Sequence, residues 1–219
     1  MSEFRYLTFD CYGTLVDWRA GIEAALAKAL GPLPKEGAEL AGIYGRLERQ
    51  EETTYKKYRV VLERTALAVS RALGESMGEA EASEFASSVP LWPPFPDSAT
   101  SLKRLGRMGF KRYILSNVDR DMLEETISRN AFEVDGFVTA EETRSYKPAL
   151  GHWVSFTAKT GAERSQVLHV AQSVYHDIIP AQELSVASAW VNRYREPMPL
   201  SAQPTFVVDG LEGLIGVLG

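Results

Sequence analysis

The sequence predicts a doubly wound parallel α/β sheet with a helical segment inserted after its first strand, and three observations carry that prediction. A short apolar run over Tyr6 to Phe9 stops abruptly at Asp10 and a Gly13-Thr14 turn, the pattern of a buried strand and its exit. Roughly 75 residues of helical periodicity follow, against the dozen or so that a strand crossover needs. From Asp97 onward strands and helices alternate, which specifies parallel pairing with right-handed crossovers. Residues 1–16 and 96–219 are therefore expected to form the sheet domain and residues 17–95 a helical cap.

Taken in order, the strand at Tyr6–Phe9 leads into a helix with Ile22, Ala25, Leu26 and Ala29 on one face, stopped by Gly31, Pro32 and Pro34. A second helix is predicted from about Leu40 to Leu73, where Ile43, Leu47, Tyr55, Tyr58, Val61, Leu62, Ala66 and Val69 recur at spacings of mostly three and four. A short helix through Phe85 reaches the stretch from Pro90 to Asp97, stiff because each proline fixes its own backbone torsion. Further helices are expected over Ser98–Met108, Met122–Ser128, around Trp153 and Phe156, and over Ile178–Leu184. Strands are expected at Arg112–Leu115, Gly136–Thr139, Val167–Val170, Ala187–Val191 and Thr205–Val208.

The bulk properties narrow the function. In 219 residues, 24 basic side chains are interspersed with 29 acidic ones for a net charge of −5, so no electrostatic stripe for nucleic acid is present. The one cysteine, Cys11, excludes a disulfide framework, and with no secretory apolar segment the expected location is the cytoplasm. No apolar run approaches the length of a membrane span.

Strand ends then offer the chemistry. Asp10 ends the first strand, Ser116 and Asn117 the second, Lys147 lies on the loop after the third, and Ser173 and Asp177 follow the fourth. In an open parallel sheet these carboxyl-end positions share one rim, where ligands bind. A nucleophilic carboxylate needs a cation to keep it ionised, donors to orient substrate and a second carboxylate to position water, and each has a candidate here. Singly, Lys147 reads as a surface lysine, removable without harm to the fold, and Asp177 as a helix N-terminal acid. Their joint placement changes that weighting. His169, within a strand, reads as a buried, hydrogen-bonded histidine. Trp18, Tyr44 and Trp92 fit either an apolar pocket wall or core packing.

The segments Phe9-Asp10-Cys11-Tyr12-Gly13-Thr14-Leu15, Ile114-Leu115-Ser116-Asn117, Ser145-Tyr146-Lys147-Pro148 and Tyr175-His176-Asp177 resemble, in order, the four motifs of the haloacid dehalogenase superfamily. The chain looks most like its L-2-haloacid dehalogenase branch and the related azetidine-2-carboxylate hydrolase. That resemblance implies a Rossmann-like core of strand order 3-2-1-4-5 with a helical cap after the first strand. It implies Asp10 as nucleophile, Lys147 as its counter-ion and Asp177 near the hydrolytic water. It also implies substrate contacts from Tyr12, Thr14, Ser116, Asn117, Ser173, Trp153 and a cap arginine, with Arg46 the first choice and Arg49 the second.

Two positions bear on the reaction. The superfamily's phosphatases carry an acid where this chain has Tyr12, whose ordinary pKa near 10 suits it poorly to protonate a leaving alcohol. A metal-binding acid is replaced by Gln172, a poorer ligand for a hard cation. The expected function is metal-independent, cofactor-free hydrolysis of a small 2-substituted carboxylic acid. A halide leaving group comes first and a strained ring nitrogen second; a phosphatase and a binding protein without turnover stay open. No membrane or nucleic-acid partner is expected, and a homodimer is compatible with the reading.

Overall fold

The computed structural model describes residues 4–219. Its elements run β1 (Tyr6–Phe9), α1 (Trp18–Leu30), α2 (Gly37–Glu51), α3 (Tyr58–Ala72), α4 (Glu79–Ser87), α5 (Ser98–Arg107), β2 (Lys111–Ser116), α6 (Arg120–Arg129) and β3 (Gly136–Thr139). They continue through α7 (Ala140–Thr143), α8 (Gly151–Thr160), β4 (Val167–Ala171), α9 (Ile179–Glu183), β5 (Ala187–Val191), β6 (Phe206–Val208) and α10 (Leu211–Leu218). All strand pairs are parallel, in the order β3-β2-β1-β4-β5-β6. The five-strand order 3-2-1-4-5 is thus extended by a sixth strand at its edge.

The register places the site. Phe9 at the end of β1 lies opposite Ile114 of β2 and Val170 of β4, so Asp10, Ser116 and Gln172 all emerge at one rim. The chain turns outward through β2 and β3 and then crosses to β4 on the other side of β1, which makes the β1/β4 boundary the topological switch point. Strands buried on both faces read as apolar runs, and Leu7, Phe9, Ile114, Leu115, Leu168 and Val170 are fully buried. Two polar side chains sit among them: Thr8 and His169, 2.8 Å apart between Oγ1 and Nδ1. Among the described residues no helix is long and apolar enough to cross a membrane.

Helices α1 to α4 separate β1 from α5. The single helix predicted over Leu40–Leu73 is two, α2 and α3, parted at residues 52–57. The break has a cause that periodicity cannot show: the Asp119 carboxylate, from the loop after β2, accepts the Tyr58 and Arg59 backbone N–H groups at 3.0 and 3.1 Å and starts α3 afresh. The outgoing and returning chains run side by side, with Val16 bridged to Pro94 and hydrogen bonds from Asp17 N to Pro93 O and Phe95 N to Leu15 O. Trp92, on the return, lies against Gly21 of α1, where an added Cβ would fall 2.2 Å from the indole. One apolar cluster runs without interruption from Phe9 and Leu15 to Leu62 and Phe85.

The C-terminal segment closes back on the turn after β1. The Arg193 guanidinium donates to the Thr14 carbonyl at 3.0 Å and to both Asp97 oxygens, while Asp97 also accepts the Leu211 N–H at 2.7 Å.

Candidate active site

The turn at Asp10 depends on Gly13, whose φ of 108° is costly for any side chain and whose missing Cβ leaves room for Gln172 and Trp18. That turn brings the Thr14 hydroxyl back to donate to Asp10 Oδ2 at 2.9 Å while accepting the Gln172 N–H at 2.9 Å. Lys147, only 1% exposed, extends its ammonium to Asp10 Oδ1 at 2.9 Å, to Asp177 Oδ1 at 2.6 Å and to the Leu115 carbonyl at 2.9 Å. All three of its donors are used. Asn117 holds the lysine's backbone, accepting Lys147 N–H at 2.7 Å and donating to its carbonyl at 3.0 Å. Far from being a surface residue on a free loop, Lys147 is the buried link between two carboxylates.

Asp177 is fully buried in a π-helical turn over Val174–Ile178 that Ser173 caps. Its Oδ1 also meets His169 Nε2 at 2.9 Å, completing a chain Thr8–His169–Asp177–Lys147–Asp10. Its Oδ2 is buried without any hydrogen-bond partner. The charges divide unequally. Burial opposes ionisation of Asp177, but Lys147 and His169 outweigh it and hold the carboxyl well below the usual range. For Asp10, burial and the neighbouring Asp177 charge outweigh Lys147, and its carboxyl is lifted. Burial also works against the Lys147 ammonium, yet the two carboxylates hold it above the usual lysine range.

A cavity of about 460 Å³ opens above these groups, with Asp10, Lys147, Asp177, Ser116, Asn117 and Ser173 on the sheet side and Trp18, Tyr44, Glu48, Arg49, Glu52 and Trp92 on the helical side. Tyr12 lines it too, with its hydroxyl 2.8 Å from Thr126 Oγ1 and its ring edge-on to Trp92. Burial pushes that phenol's pKa well up, which removes it further from acid catalysis. Trp18, Tyr44 and Trp92 wall the cavity as well as packing, Trp18 against Tyr44 at 6.1 Å between ring centres.

Three expected substrate contacts are not brought to the cavity. Arg46 is exposed and absent from the lining; Arg49, on the adjacent face of α2, lines the cavity with its guanidinium 5.7 Å from the Tyr175 ring. Trp153 is buried behind the sheet, stacked edge-on against His169 at 5.2 Å. Thr14 is enclosed with both its hydrogen-bonding roles committed, so it orients Asp10 instead of touching a ligand. Ser173 is partly committed, 3.0 Å from His176 Nδ1 and accepting the His176 N–H.

Sequence reasoning missed Glu48 and Glu52, the latter just beyond the last residue of α2; His169 is the buried, hydrogen-bonded histidine expected, with Thr8 and Asp177 as its partners. Glu48, Glu52 and Tyr44 recur every four residues and so share one helix face, a phase that Tyr44 as a pocket aromatic would have set.

The donor set around Asp10 does not fit a hard divalent cation. Both Asp10 oxygens already accept hydrogen bonds, and the Gln172 amide donates to Glu196 at 3.1 Å. Among the described residues no three His, Cys, Asp or Glu side chains are grouped as metal ligands.

A Lys-bridged pair of buried aspartates thus lies at the switch point of a six-stranded parallel sheet of Rossmann-like class. The family model described as haloacid dehalogenase-like hydrolase matches residues 4–184, and the chain belongs to that family. It is 23% identical to an (S)-2-haloacid dehalogenase of Pseudomonas putida over 224 residues, covering 96% of this chain and 95% of that one. Among solved structures it resembles the L-2-haloacid dehalogenase of Xanthobacter autotrophicus, at 21% identity, 98% coverage of each chain and a TM-score of 0.83. The same figures hold for the Xanthobacter autotrophicus enzyme with chloropropionic acid covalently bound.

Proposed function

We propose that this hydrolase acts on small 2-substituted carboxylic acids without a metal, through an ester on Asp10, with residues 17–95 as a cap over a core of 1–16 and 96–219. One observation carries the reading: Asp10 and Asp177 are tied to a single buried ammonium, yet only Asp177 keeps an oxygen, Oδ2, without a partner. The first carboxylate is positioned to attack and the second to accept a proton. An Asp10 oxygen forms a bond to substrate C2 as the leaving group, a halide in the first instance, departs with the bonding electrons. A water that loses its proton to Asp177 then attacks the ester carbonyl, the bond from that carbon to the substrate oxygen breaks as Asp177 returns the proton to the departing oxygen, and the 2-hydroxy acid leaves Asp10 as a carboxyl that loses its proton to solvent. Lys147 stays charged throughout and stabilises the oxyanion that forms on Asp10. Ser116, Asn117, Ser173 and Tyr12 border the space for the substrate carboxylate. Water exclusion falls to the helical wall, whose aromatic side chains keep the site dry while carbon is attacked.

A single turnover in oxygen-18 water with enzyme in excess tests the covalent step. The product hydroxyl is expected to be unlabelled and the peptide spanning Asp10 to gain the heavy atom. Immediate labelling of the product with an unchanged peptide would remove Asp10 as nucleophile. Activity is expected to survive exhaustive chelation, and activity that returned only with magnesium would sink the metal-free reading.

A further inference from the structure

Lys147 is not the only group that holds Asp177. Thr8 on β1 and His169 on β4 are register partners in adjacent parallel strands, so their side chains leave the same face of the sheet. Both are fully buried, as is Asp177 in the π-helical turn that follows β4. His169 Nε2 lies 2.9 Å from Asp177 Oδ1, and His169 Nδ1 lies 2.8 Å from the Thr8 hydroxyl. An ionised carboxylate only accepts, so the hydrogen in the first contact sits on Nε2. Thr8 holds the other side of the ring, and Trp153 packs edge-on against it at 5.2 Å between ring centres. Asp177 borders the cavity, whereas Thr8 and His169 do not.

The two aspartates are anchored differently. Asp10 takes Lys147 on Oδ1 and Thr14 on Oδ2, one contact on each oxygen. Asp177 takes Lys147 at 2.6 Å and His169 at 2.9 Å on the same oxygen, Oδ1, and among the described residues Oδ2 has no hydrogen-bond partner. The terminal torsion of an aspartate is soft and roughly two-fold, so a single donor leaves the carboxylate free to turn about its Cβ–Cγ bond and exchange its oxygens. A second donor, fixed in the sheet, removes that freedom. Loss of His169 therefore loosens Asp177 and leaves both anchors of Asp10 in place.

We propose that His169 is a positioning residue for the second half of the reaction: held by Thr8, it pins Asp177 Oδ1 so that Oδ2 is presented to the hydrolytic water. It moves no proton and touches no substrate, and it acts only through Asp177. The proposal rests on the reading of Asp10 as nucleophile and Asp177 as base. A histidine that merely filled the core would slow both halves of the reaction alike, or neither.

Single turnovers of 2-chloropropionate with enzyme in excess separate the two halves. Chloride release reports the attack by Asp10, and the mass of the intact protein reports the ester until 2-hydroxypropionate is formed. In His169→Leu the ester is expected to accumulate, its hydrolysis slowed about 10–100-fold, the scale of a misplaced catalytic group, with chloride release within about threefold of the unmodified protein. In the steady state kcat and KM should fall together and leave kcat/KM unchanged, because the step that forms the ester is intact. His169→Gln, which can return an N–H to the place of Nε2, should hydrolyse the ester faster than His169→Leu. Chloride release and product formation slowed in equal proportion, or an ester hydrolysed at the unmodified rate, overturns the proposal. Thr8→Val removes only a hydroxyl and carries the same reading if His169→Leu does not fold: ester hydrolysis slowed severalfold against unchanged chloride release. A second measurement needs no turnover. Nitrogen-15 NMR of the histidine-labelled protein should show a hydrogen on His169 Nε2 protected from solvent exchange, assigned by its absence in His169→Gln. An Nε2 without a hydrogen overturns the tie to Asp177 whatever the enzyme hydrolyses. A protected hydrogen in a protein that releases no chloride from any 2-chloroalkanoate would keep the tie and sink the hydrolase reading, and the positioning role with it.

Discussion

The floor and the helical wall of the cavity solve the same problem, buried carboxylates, in opposite ways. On the floor, Asp10 and Asp177 share a lysine whose three donors are spent, and His169 and Thr14 take most of what remains. On the wall, Glu48 accepts from the Tyr58 hydroxyl at 2.6 Å and Glu52 lies 3.6 Å from His176 Nε2. A site finished before the substrate arrives is what a nucleophile needs, because orientation and charge must be in place at the moment of attack. Burial lifts the carboxyls of Asp10 on the floor and Glu48 on the wall, Glu48 to about 7, while Lys147 and His169 hold Asp177 below the carboxylate range.

Removing a charge should therefore have opposite consequences on the two sides. The largest effect is expected for Lys147→Met. Turnover should fall by roughly 10²–10³-fold for loss of a preorganised charge. Stability should fall by about 3–5 kcal/mol, because two buried carboxylates lose their partner. Equilibrium denaturation beside steady-state kinetics reads both, and a variant as stable as the parent would mean that the floor is not pre-paired. The next effect has the other sign. A carboxyl raised from 4.5 to about 7 in the folded protein favours folding below pH 4.5, and that contribution is lost as pH rises towards 7. Glu48→Gln should flatten this slope and leave the protein more stable than its parent at pH 8, on the order of 1 kcal/mol in a chemical denaturation series. Destabilisation at pH 8 would show the wall to be as complete as the floor. The smallest change is expected for Tyr12→Phe, which loses one hydrogen bond to Thr126 and about 1 kcal/mol. Its turnover of 2-haloacids should stay within a few fold; loss of activity on the scale of Lys147→Met would return the phenol to proton transfer.

The floor was legible in the sequence and the wall was not, for a physical reason. Strand ends announce themselves: an apolar run that halts at Asp10, or at Ser116, marks where the chain leaves a buried sheet, and parallel topology gathers those points at one rim. Even the sixth strand, Phe206–Val208, was legible as a β-branched run, although the family order of five did not include it. A helix gives its apolar period but not its azimuth. Arg46 stood as first choice and Arg49 as second because spacing does not show which stripe of α2 faces inward, and it is Arg49 that lines the cavity with Tyr44. The break between α2 and α3 depends on Asp119, a residue about sixty positions away, so a local pattern could only extend the helix through it. Trp153 shows the converse failure: a family position was carried over, and a larger ring at that place turned into the core beside His169.

The strut formed by Arg193 gives the C-terminal strand and helix a meaning that sheet topology alone does not. The guanidinium grips the Thr14 carbonyl, on the turn whose hydroxyl orients Asp10, and its other end is fixed by Asp97, which in turn anchors the start of α10. The family match ends at residue 184, before any of these contacts is made. A fragment trimmed to the matched segment would retain Asp10, Lys147 and Asp177 and yet leave the nucleophile's turn unbraced. The smallest heritable unit of this chemistry is thus longer than its motifs, and recombination or domain shuffling that exchanged the segment after β5 would remove the brace behind the carboxylate that follows β1.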